Sequence, residues 1–567
     1  MRREMPPETP RTRQVVAAAI TLVVLGGIGA IKAGSAGASF MEDLELAQPP
    51  LARHAPTIVD AHVPRLADRV FVVIIDGLRL DRSYELPFLD SLRRRGVDGE
   101  AQSQYPTWSR PNYVSILTGV PPTASGVRTN HHTMPVMLDS LMDRARAAHL
   151  ADAIVTDYGL IPQLFLRPIN PTDAFPPLDI EGIEDSLSPL AVHSPEARFA
   201  TPFDDARYVP WPGGFSEAGS ALVKGDAPLV VMLISVVDAA GHAHGADSPD
   251  YRAAAEIADR ALAGVLGHVD LERDAIIITA DHGHTGRGGH GGIEPEVLSV
   301  PLVMAGAGVE PGATPNDARL IDLAPTAAAL LGMPAPGHGL GRTLVEVLHE
   351  DAGAKAQLLA ADHARLAVTQ STVTAADARA SAALLEDRAW RLAAVGGGAL
   401  AAIALALLLI RRRVLRLDVR VLLVSVPAFF IVYYALIGTL GQRFSPSLLP
   451  EKGHLAGQMI KYGVAAMVAQ LAASLWALRN QGNLAQRLAA ANGSAWMGLM
   501  LTMLPAGLLW AFFPAPYLIV PGPLWLVLIP AVQVAVACAA IDAVLILCIE
   551  VIVFAARAWH RDGMALH

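Results

Sequence analysis

Aspartate, histidine and glycine are concentrated in one twelve-residue stretch, DHGHTGRGGHGG, which holds one aspartate, three histidines and six glycines. Carboxylate and imidazole groups are good ligands for zinc. Glycines let the backbone turn sharply and approach a bound ion closely. The stretch therefore predicts a metal-binding loop, with Asp281, His282 and His290 as candidate ligands.

Two earlier motifs supply the same residue types. IDGLR contains Asp76, and DAAGHAHG contains Asp238 and His242. With the three residues of the glycine-rich loop, the six candidate ligands divide into two sets of three, so that each metal would keep open positions for substrate. Two metals about 3.5–4 Å apart stabilise both the attacking and the leaving oxygen of an in-line displacement. The pattern predicts a two-metal catalytic centre.

A nucleophile is expected in YPTWSRPNYVSILTG, from Tyr105 to Gly119, which is typical of a loop that enters a short helix. Ser109 lies at or near the helix N-cap, where backbone amides and the helix dipole favour an alkoxide. Thr107 is the competing candidate. Plain N-capping would also explain either hydroxyl.

Continuous apolar runs that end in aspartate are the elements expected to position these residues. They are VFVVIID (Val70–Asp76), LVVMLISVVD (Leu229–Asp238), AIIITAD (Ala275–Asp281) and the shorter DAIVTD (Asp152–Asp157). Such runs suit strands buried on both faces of a parallel sheet. Helical patterns lie between them, which favours an α/β fold with its site at the carboxyl ends of the strands.

The composition points to a membrane protein. Of 567 residues, 52% are hydrophobic, and the excess lies near the N-terminus and in the last third of the chain. Apolar runs at 15–31, 391–410, 418–440, 459–478, 492–513 and 524–555 are each long enough to span a bilayer as a helix. The net charge of −9 gives no indication of nucleic-acid binding. Cys538 and Cys548 both lie in the last apolar run, which excludes a thiolate zinc site from the polar region.

The flanking arginines predict the orientation. The N-terminal arginines, RRRVLR (411–416), RNQGNLAQR (479–487) and RAWHR all fall on one side if every run spans once. The positive-inside rule assigns that side to the cytoplasm. The polar region would then face the outside. High alanine and arginine favour a bacterial inner membrane with a periplasmic domain. The first run is interpreted as an uncleaved anchor, with a cleaved signal peptide as the alternative.

Four separated motifs, in this order, resemble the alkaline phosphatase superfamily. They are the strand-end DGLR, the PT-x-[ST]-x-P nucleophile loop, D-x-x-GH and DHG…GGHGG. The closer resemblance is to the nucleotide pyrophosphatase/phosphodiesterases and the ethanolamine-phosphate transferases of glycosylphosphatidylinositol anchor synthesis, over about residues 68–345. It implies one zinc site made by Asp238, His242 and His290 and another made by Asp76, Asp281 and His282. Manganese can also occupy sites of this kind.

The resemblance also assigns roles around the nucleophile. It prefers Ser109 over Thr107, and it matches Asn130 to an asparagine that holds a phosphoryl oxygen. Some monoesterases of the superfamily bind the dianionic phosphate with a Lys and an Arg after a middle strand, whereas the comparable stretch here, IVTDYGLIPQLF, has no basic residue. This difference favours a diester substrate, unless Arg110 or Arg167 reaches the site.

The predicted fold class is α/β: an alkaline-phosphatase-like sandwich with a central, mostly parallel sheet flanked by helices, plus an α-helical transmembrane bundle. The predicted division of the chain is a cytoplasmic tail and transmembrane anchor (1–35), a linker (36–67), an alkaline-phosphatase-like catalytic domain (68–350), a helical linker (351–390), a bundle of about five helices (391–557) and a cytoplasmic tail (558–567).

The favoured function is a membrane-anchored enzyme that cleaves a phosphodiester through a phosphoserine, with a membrane lipid as the favoured substrate or acceptor. One alternative is a tethered phosphodiesterase that acts on soluble nucleotides, and another is a membrane protein that only binds a ligand. His131, His132, His244 and His284 are interpreted as supporting or solvent-exposed side chains. Asp542 and Glu550, which lie in the last apolar run, are candidates for an intramembrane function or for pairing within the bundle.

Overall fold

The polar region of the computed structural model is built on one eight-stranded sheet. The structure describes residues 10–46, 49–132, 134–168, 199–200, 202–440, 445–448, 454–481 and 484–564. The strands are β1 (Arg69–Ile75), β2 (Val97–Gln102), β3 (Asp152–Thr156), β4 (Arg167–Pro168), β5 (Phe199–Ala200), β6 (Asp205–Tyr208), β7 (Leu229–Ile234), β8 (Asp274–Thr279), β9 (Ser299–Gly306) and β10 (Ala318–Arg319). The main sheet has the order β10-β2-β9-β8-β1-β7-β3-β6, and β4 pairs separately with β5.

Five neighbouring strands, β8-β1-β7-β3-β6, run parallel, while β9 is antiparallel to both β8 and β2. All six residues of β7 and of β8 are buried, as expected for strands covered on both faces. The sheet confirms the predicted mostly parallel α/β fold, and the antiparallel β9 makes it a mixed sheet. Parallel strands place their carboxyl ends at one edge, so this edge can gather the motifs that follow each strand.

Helices α2–α12 connect and cover the strands. They are α2 (Leu80–Ser83), α3 (Pro87–Arg93), α4 (Ser109–Thr118), α5 (Pro122–Ser125), α6 (Leu141–Ala147), α7 (Leu160–Leu164), α8 (Gly213–Lys224), α9 (Val236–His244), α10 (Pro249–Leu266), α11 (Pro295–Leu298) and α12 (Leu323–Leu330). Ser248 caps α10, because its side chain accepts a hydrogen bond from the amide of Tyr251 and Pro249 follows at the first helical position.

Within the described residues, six helices are long and apolar enough to cross a membrane. They are α1 (Pro10–Ala38), α13 (Ala352–Arg411), α14 (Val419–Leu440), α15 (His454–Leu478), α16 (Leu484–Phe512) and α17 (Pro523–Met564). Each contains one of the six apolar runs of the sequence. Helix α1 packs closely on α17, because a Cβ added at Gly26 would lie 2.9 Å from a methyl group of Val544.

Helix α13 is continuous through all of its 60 residues. Its first part is fixed to the polar region by Arg365, whose guanidinium donates to the carbonyls of Gly339 and Gly341 and to Asp362. Its last part is an apolar membrane-spanning candidate. The domain boundary predicted between residues 390 and 391 therefore falls inside an unbroken helix.

The two acidic residues of the last apolar run differ in their surroundings. Glu550 makes a bidentate ion pair with Arg487 of α16, so its charge is balanced inside the bundle. Asp542 is fully buried, and neither of its carboxylate oxygens has a hydrogen-bond partner among the described residues. The predicted alternative of pairing within the bundle thus fits Glu550 and does not fit Asp542.

Candidate active site

The candidate ligands come together at the carboxyl edge of three neighbouring strands. Asp76 follows β1 directly, and Asp281 lies two residues after β8. The third strand differs from the prediction, because β7 ends at Ile234 and the chain enters α9 before it reaches Asp238. Asp238 therefore lies in the first turn of a helix, and His242 follows one turn later on the same helix.

In the predicted ligand set of Asp76, Asp281 and His282, each carboxylate has one oxygen fixed by a hydrogen bond from the protein. The hydroxyl of Tyr113 donates to Oδ2 of Asp76. The amides of Gly77 and His282 donate to Oδ1 of Asp281, at 3.1 and 3.0 Å. The other two oxygens, Asp76 Oδ1 and Asp281 Oδ2, are buried and have no hydrogen-bond partner among the described residues. Buried acceptors without donors are costly unless a cation binds them.

His282 completes this set. Its Nδ1 lies 3.1 Å from the carbonyl of Gly283, which only accepts, so Nδ1 carries the proton and Nε2 presents a lone pair. That Nε2 lies 3.3 Å from Asp281 Oδ2 and 3.5 Å from Asp76 Oδ1. Donor atoms bound tetrahedrally to zinc at about 2.0–2.2 Å lie roughly 3.3–3.6 Å apart. The three side chains fit a zinc ion.

The second predicted set has similar spacing. His290 donates from Nδ1 to the carbonyl of Thr107 at 2.8 Å, which leaves its Nε2 as a lone pair. This atom lies 3.1 Å from Nε2 of His242 and 3.5 Å from Oδ1 of Asp238, and the remaining separation, from His242 to Asp238, is 3.4 Å. Two facing imidazole nitrogens and a carboxylate oxygen fit a second metal ion.

His284 is also close to this centre, together with Asp238, His282 and His290. Its Nδ1 accepts from the amide of Gly289 at 3.1 Å, so the neutral ring carries its proton on Nε2. That Nε2 lies 2.7 Å from Oδ1 of Asp238, which is a hydrogen-bond distance. Burial lowers the pKa of His284 to about 4, which keeps the ring neutral. His284 therefore orients Asp238, in agreement with the supporting role predicted for it.

The electrostatics of the carboxylates also fit bound cations. Burial raises the pKa of Asp76 well above its ordinary value, and the nearby carboxylates of Asp281 and Asp238 raise it further. Burial likewise raises the pKa of Asp281 to about 7, with a contribution from Asp238. Burial would raise the pKa of Asp238 too, but the three surrounding imidazoles hold it well below its ordinary value. Cations would keep all three carboxylates ionised.

Ser109 is the hydroxyl that reaches this centre. It is the first residue of α4, with Trp108 as the N-cap, and its Oγ lies 3.0 Å from Nε2 of His282. Thr107 points elsewhere: its hydroxyl accepts from the amide of Gly291 at 2.9 Å and donates to the carbonyl of Gly292 at 2.8 Å. The geometry favours Ser109 as the nucleophile and gives Thr107 a structural role.

Asn130 lies beside the nucleophile, because its Oδ1 accepts from the backbone amide of Arg110 at 3.0 Å. The guanidinium of Arg110 donates to the carbonyl of His132 at 2.8 Å. Arg167 is engaged away from the centre by an ion pair of 2.6 Å with Asp143. Arg167 is therefore not available as one of the two basic residues that bind a dianionic phosphate in some monoesterases.

The remaining histidines have partners outside the centre. His132 lies 3.0 Å from Glu45, while the exposed side chain of His244 lies 3.8 Å from Asp250. The backbone amide of His131 donates to the hydroxyl of Thr129. The contacts of His132 and His244 agree with the supporting or surface roles predicted for these two side chains.

The site edge of the sheet faces the helical bundle. Trp108 is buried in a hydrophobic cluster with bundle side chains that include Phe429 and Tyr433. The hydroxyl of Tyr105 donates to the carbonyl of Pro521, between α16 and α17, at 2.8 Å. Arg128 donates to the carbonyl of Tyr517 at 2.7 Å. The nucleophile loop therefore packs directly on the membrane-spanning helices.

Comparison with known proteins agrees with this site. Residues 70–294 match the family described as type I phosphodiesterase / nucleotide pyrophosphatase. The match includes all six candidate ligands and Ser109. The predicted resemblance to the nucleotide pyrophosphatase/phosphodiesterases and to the ethanolamine-phosphate transferases is confirmed.

The curated relatives are named GPI ethanolamine phosphate transferases. The chain is 25% identical over 327 residues to GPI ethanolamine phosphate transferase 1 of Emericella nidulans, with 49% of this chain and 34% of the relative covered. It is 24% identical over 331 residues to the Mus musculus protein of the same name, with coverage of 51% and 34%. The chain therefore spans about a third of the length of these relatives. Among solved structures, murine ectonucleotide pyrophosphatase/phosphodiesterase 5 matches 47% of this chain and 96% of its own at 13% identity, with a TM-score of 0.35.

Proposed function

We propose that this protein is a metal-dependent phosphoryl-transfer enzyme that cleaves a lipid-linked phosphodiester through a phosphoserine at Ser109. The observation that carries the proposal is the position of Ser109 Oγ, 3.0 Å from Nε2 of His282. The carboxylate oxygens of Asp76 and Asp281 that have no hydrogen-bond partner among the described residues lie close to the same His282 Nε2. A nucleophile beside a convergent set of metal donors is the arrangement that phosphoryl transfer requires.

The chain's own residues account for each part of the reaction. Two bound zinc ions would stabilise negative charge on the attacking and leaving oxygens. Ser109 loses its hydroxyl proton and forms a bond to phosphorus while the bond to the leaving alcohol breaks, and the leaving oxygen takes up a proton. An acceptor hydroxyl or water then attacks the phosphoserine, loses its proton and regenerates Ser109. Asn130, fixed beside Ser109, would donate to a phosphoryl oxygen.

The diester and lipid parts of the proposal rest on separate features. A diester carries one negative charge fewer than a monoester, and Arg167 is committed to Asp143 rather than to the centre. A lipid-linked reactant would reach Ser109 from the bilayer, because Trp108, next to it in the chain, is buried among bundle side chains. Phosphoethanolamine is the head group that the curated relatives suggest. In this proposal the bundle lies in the inner membrane and the site faces the periplasm.

The first test combines metal content with turnover in the full-length protein. Zinc per chain is measured together with the hydrolysis of bis-p-nitrophenyl phosphate and p-nitrophenyl phosphate. We expect about two zinc ions per chain, and diester turnover well above monoester turnover. Ser109→Ala should retain zinc and lose about 10³-fold or more of the activity. Ser115→Ala, another buried serine of α4, is the matched control and should retain activity.

The outcomes separate the alternatives. Zinc binding without turnover of either ester would favour a transferase that requires its own lipids, and labelled phosphatidylethanolamine in vesicles then tests transfer. Full activity of Ser109→Ala would exclude the phosphoserine. A protein that binds no divalent metal would contradict the proposal as a whole.

A further inference from the structure

A short turn of the bundle touches the metal-binding loop. The 3-10 turn Pro446–Leu448 lies between α14 and α15 and is outside the polar region in sequence. The hydroxyl of Ser447 accepts from the amide of Gly292 at 2.8 Å and donates to a carboxylate oxygen of Glu294 at 2.7 Å. Ser447 is completely buried and Glu294 is 8% exposed, so neither hydrogen bond competes with bulk water.

The opposite side of the same loop is held by the nucleophile loop. The hydroxyl of Thr107 bonds the amide of Gly291 and the carbonyl of Gly292, while its carbonyl accepts from His290 Nδ1. Residues 290–292 are therefore clamped between Thr107 of the polar region and Ser447 of the bundle. His290 receives its orientation inside this clamp.

The contact is closer than any side chain would allow. A Cβ added at Gly289 would lie 2.0 Å from the carbonyl oxygen of Ser447, and one added at Gly292 would lie 2.6 Å from its hydroxyl. The backbone of Gly289 is also left-handed, with φ of +90°. Gly289 and Gly292 thus allow the bundle turn to pack against the backbone of the predicted metal-binding loop.

We propose that Ser447 is a positioning residue of the metal centre, so that the membrane bundle completes the site that binds the second metal ion. Ser447 holds the amide of Gly292, which fixes the loop that orients His290, and Glu294 in turn holds the hydroxyl of Ser447. This inference rests on the metal role proposed above for His290. The packing of Trp108 into the bundle is a second, independent link between the same two parts of the chain.

The test compares zinc affinity in the full-length protein, measured by competition with a chromophoric chelator. Ser447→Ala should weaken one of the two zinc ions about tenfold and leave the other unchanged, in line with the usual effect of groups that support metal ligands. Ser425→Ala is the matched control, because it removes a buried serine hydrogen bond to Ser494 between α14 and α16, inside the bundle. The control should bind both ions as the wild type does.

A second variant tests the hydrogen-bond chain itself. If Glu294 acts through Ser447, Glu294→Ala should weaken the same ion, and the double variant should lose no more than Ser447→Ala alone. Thermal unfolding of the metal-free variants checks that the protein remains folded. Wild-type affinity for both ions in Ser447→Ala would overturn this inference while leaving the proposed function intact. Absence of zinc from the wild type would instead remove the proposed function, and the inference with it.

Discussion

At the scale of single residues, the hydrogen bond from Tyr113 to Asp76 is the feature most open to test. Burial, and next the charge of Asp76, raise the pKa of Tyr113 well above its ordinary value, so the hydroxyl keeps its proton and remains a donor. We predict that Tyr113→Phe will bind zinc about tenfold more weakly, because Asp76 loses the group that orients it. The measurement is a chelator-competition titration.

The neighbouring ring of Tyr158 provides the control for this prediction. Its centroid lies 6.4 Å from that of Tyr113, so Tyr158→Phe removes a hydroxyl from the same part of the core. It should leave zinc affinity unchanged. Equal weakening in both variants would mean that Tyr113 acts through general packing rather than through Asp76.

At this scale the sequence indicates candidate ligands but not the groups that hold them. Taken singly, Asp76, Asp281 and His282 would also suit turn or surface positions, and it is the set of motifs together that predicts a metal centre. Tyr113 lies within a helical pattern that equally suits a core residue, and only the rotation of α4 aims its hydroxyl at Asp76. Ser447 is 155 positions from Gly292, and its contact depends on tertiary docking that no local pattern records.

At the scale of elements, a buried ion pair within α13, Arg365 with Asp362, holds the first part of this helix on the polar region through the backbone of Gly339, Gly341 and Thr343. The side chain of Arg365 is 2% exposed and that of Asp362 is 6% exposed. We predict that Arg365→Met will destabilise the protein by about 3–5 kcal/mol, because a buried carboxylate loses its counter-ion. Thermal unfolding in detergent measures the effect. Arg379→Met, an exposed arginine of the same helix, should change the midpoint little, and equal shifts would contradict the prediction.

Element types were better predicted than element ends. The runs at β1, β3, β7 and β8 are confirmed as strands. The strand expected to extend to Asp238 ends at Ile234, and the chain continues into α9. This end could not be predicted, because the residues remain apolar from the strand into the helix. The antiparallel direction of β9 was not anticipated, since a buried run is equally apolar whichever way it is traversed.

At the scale of the whole molecule, the orientation in the membrane follows from the arginine-rich connections. We predict that an impermeant maleimide will label Arg260→Cys in intact spheroplasts but will label Arg412→Cys only after lysis, because the polar region is expected outside and the loop after α13 inside. The side chain of Arg260 is 66% exposed. The two native cysteines lie within α17, which keeps the background low.

The opposite labelling pattern would place the polar region in the cytoplasm and contradict the proposed localisation. Labelling of both variants without lysis would show a leaky preparation, which an unrelated cytoplasmic cysteine protein detects. The result is independent of zinc and of turnover, so it tests the topology alone.

Because α13 is unbroken, it connects the polar region to the membrane-spanning segment as a rigid helix rather than as a flexible tether. The active site of an enzyme on a flexible tether can move to different heights above the bilayer and can meet reactants at each of them. Here the helix leaves the polar region at Arg365 and enters the apolar segment without interruption, while the nucleophile loop rests on the bundle. In the proposed reaction, the hydroxyl of Ser109 would be held at one height above the bilayer. Phosphodiesters would then be selected partly by the distance of each phosphorus from the lipid surface.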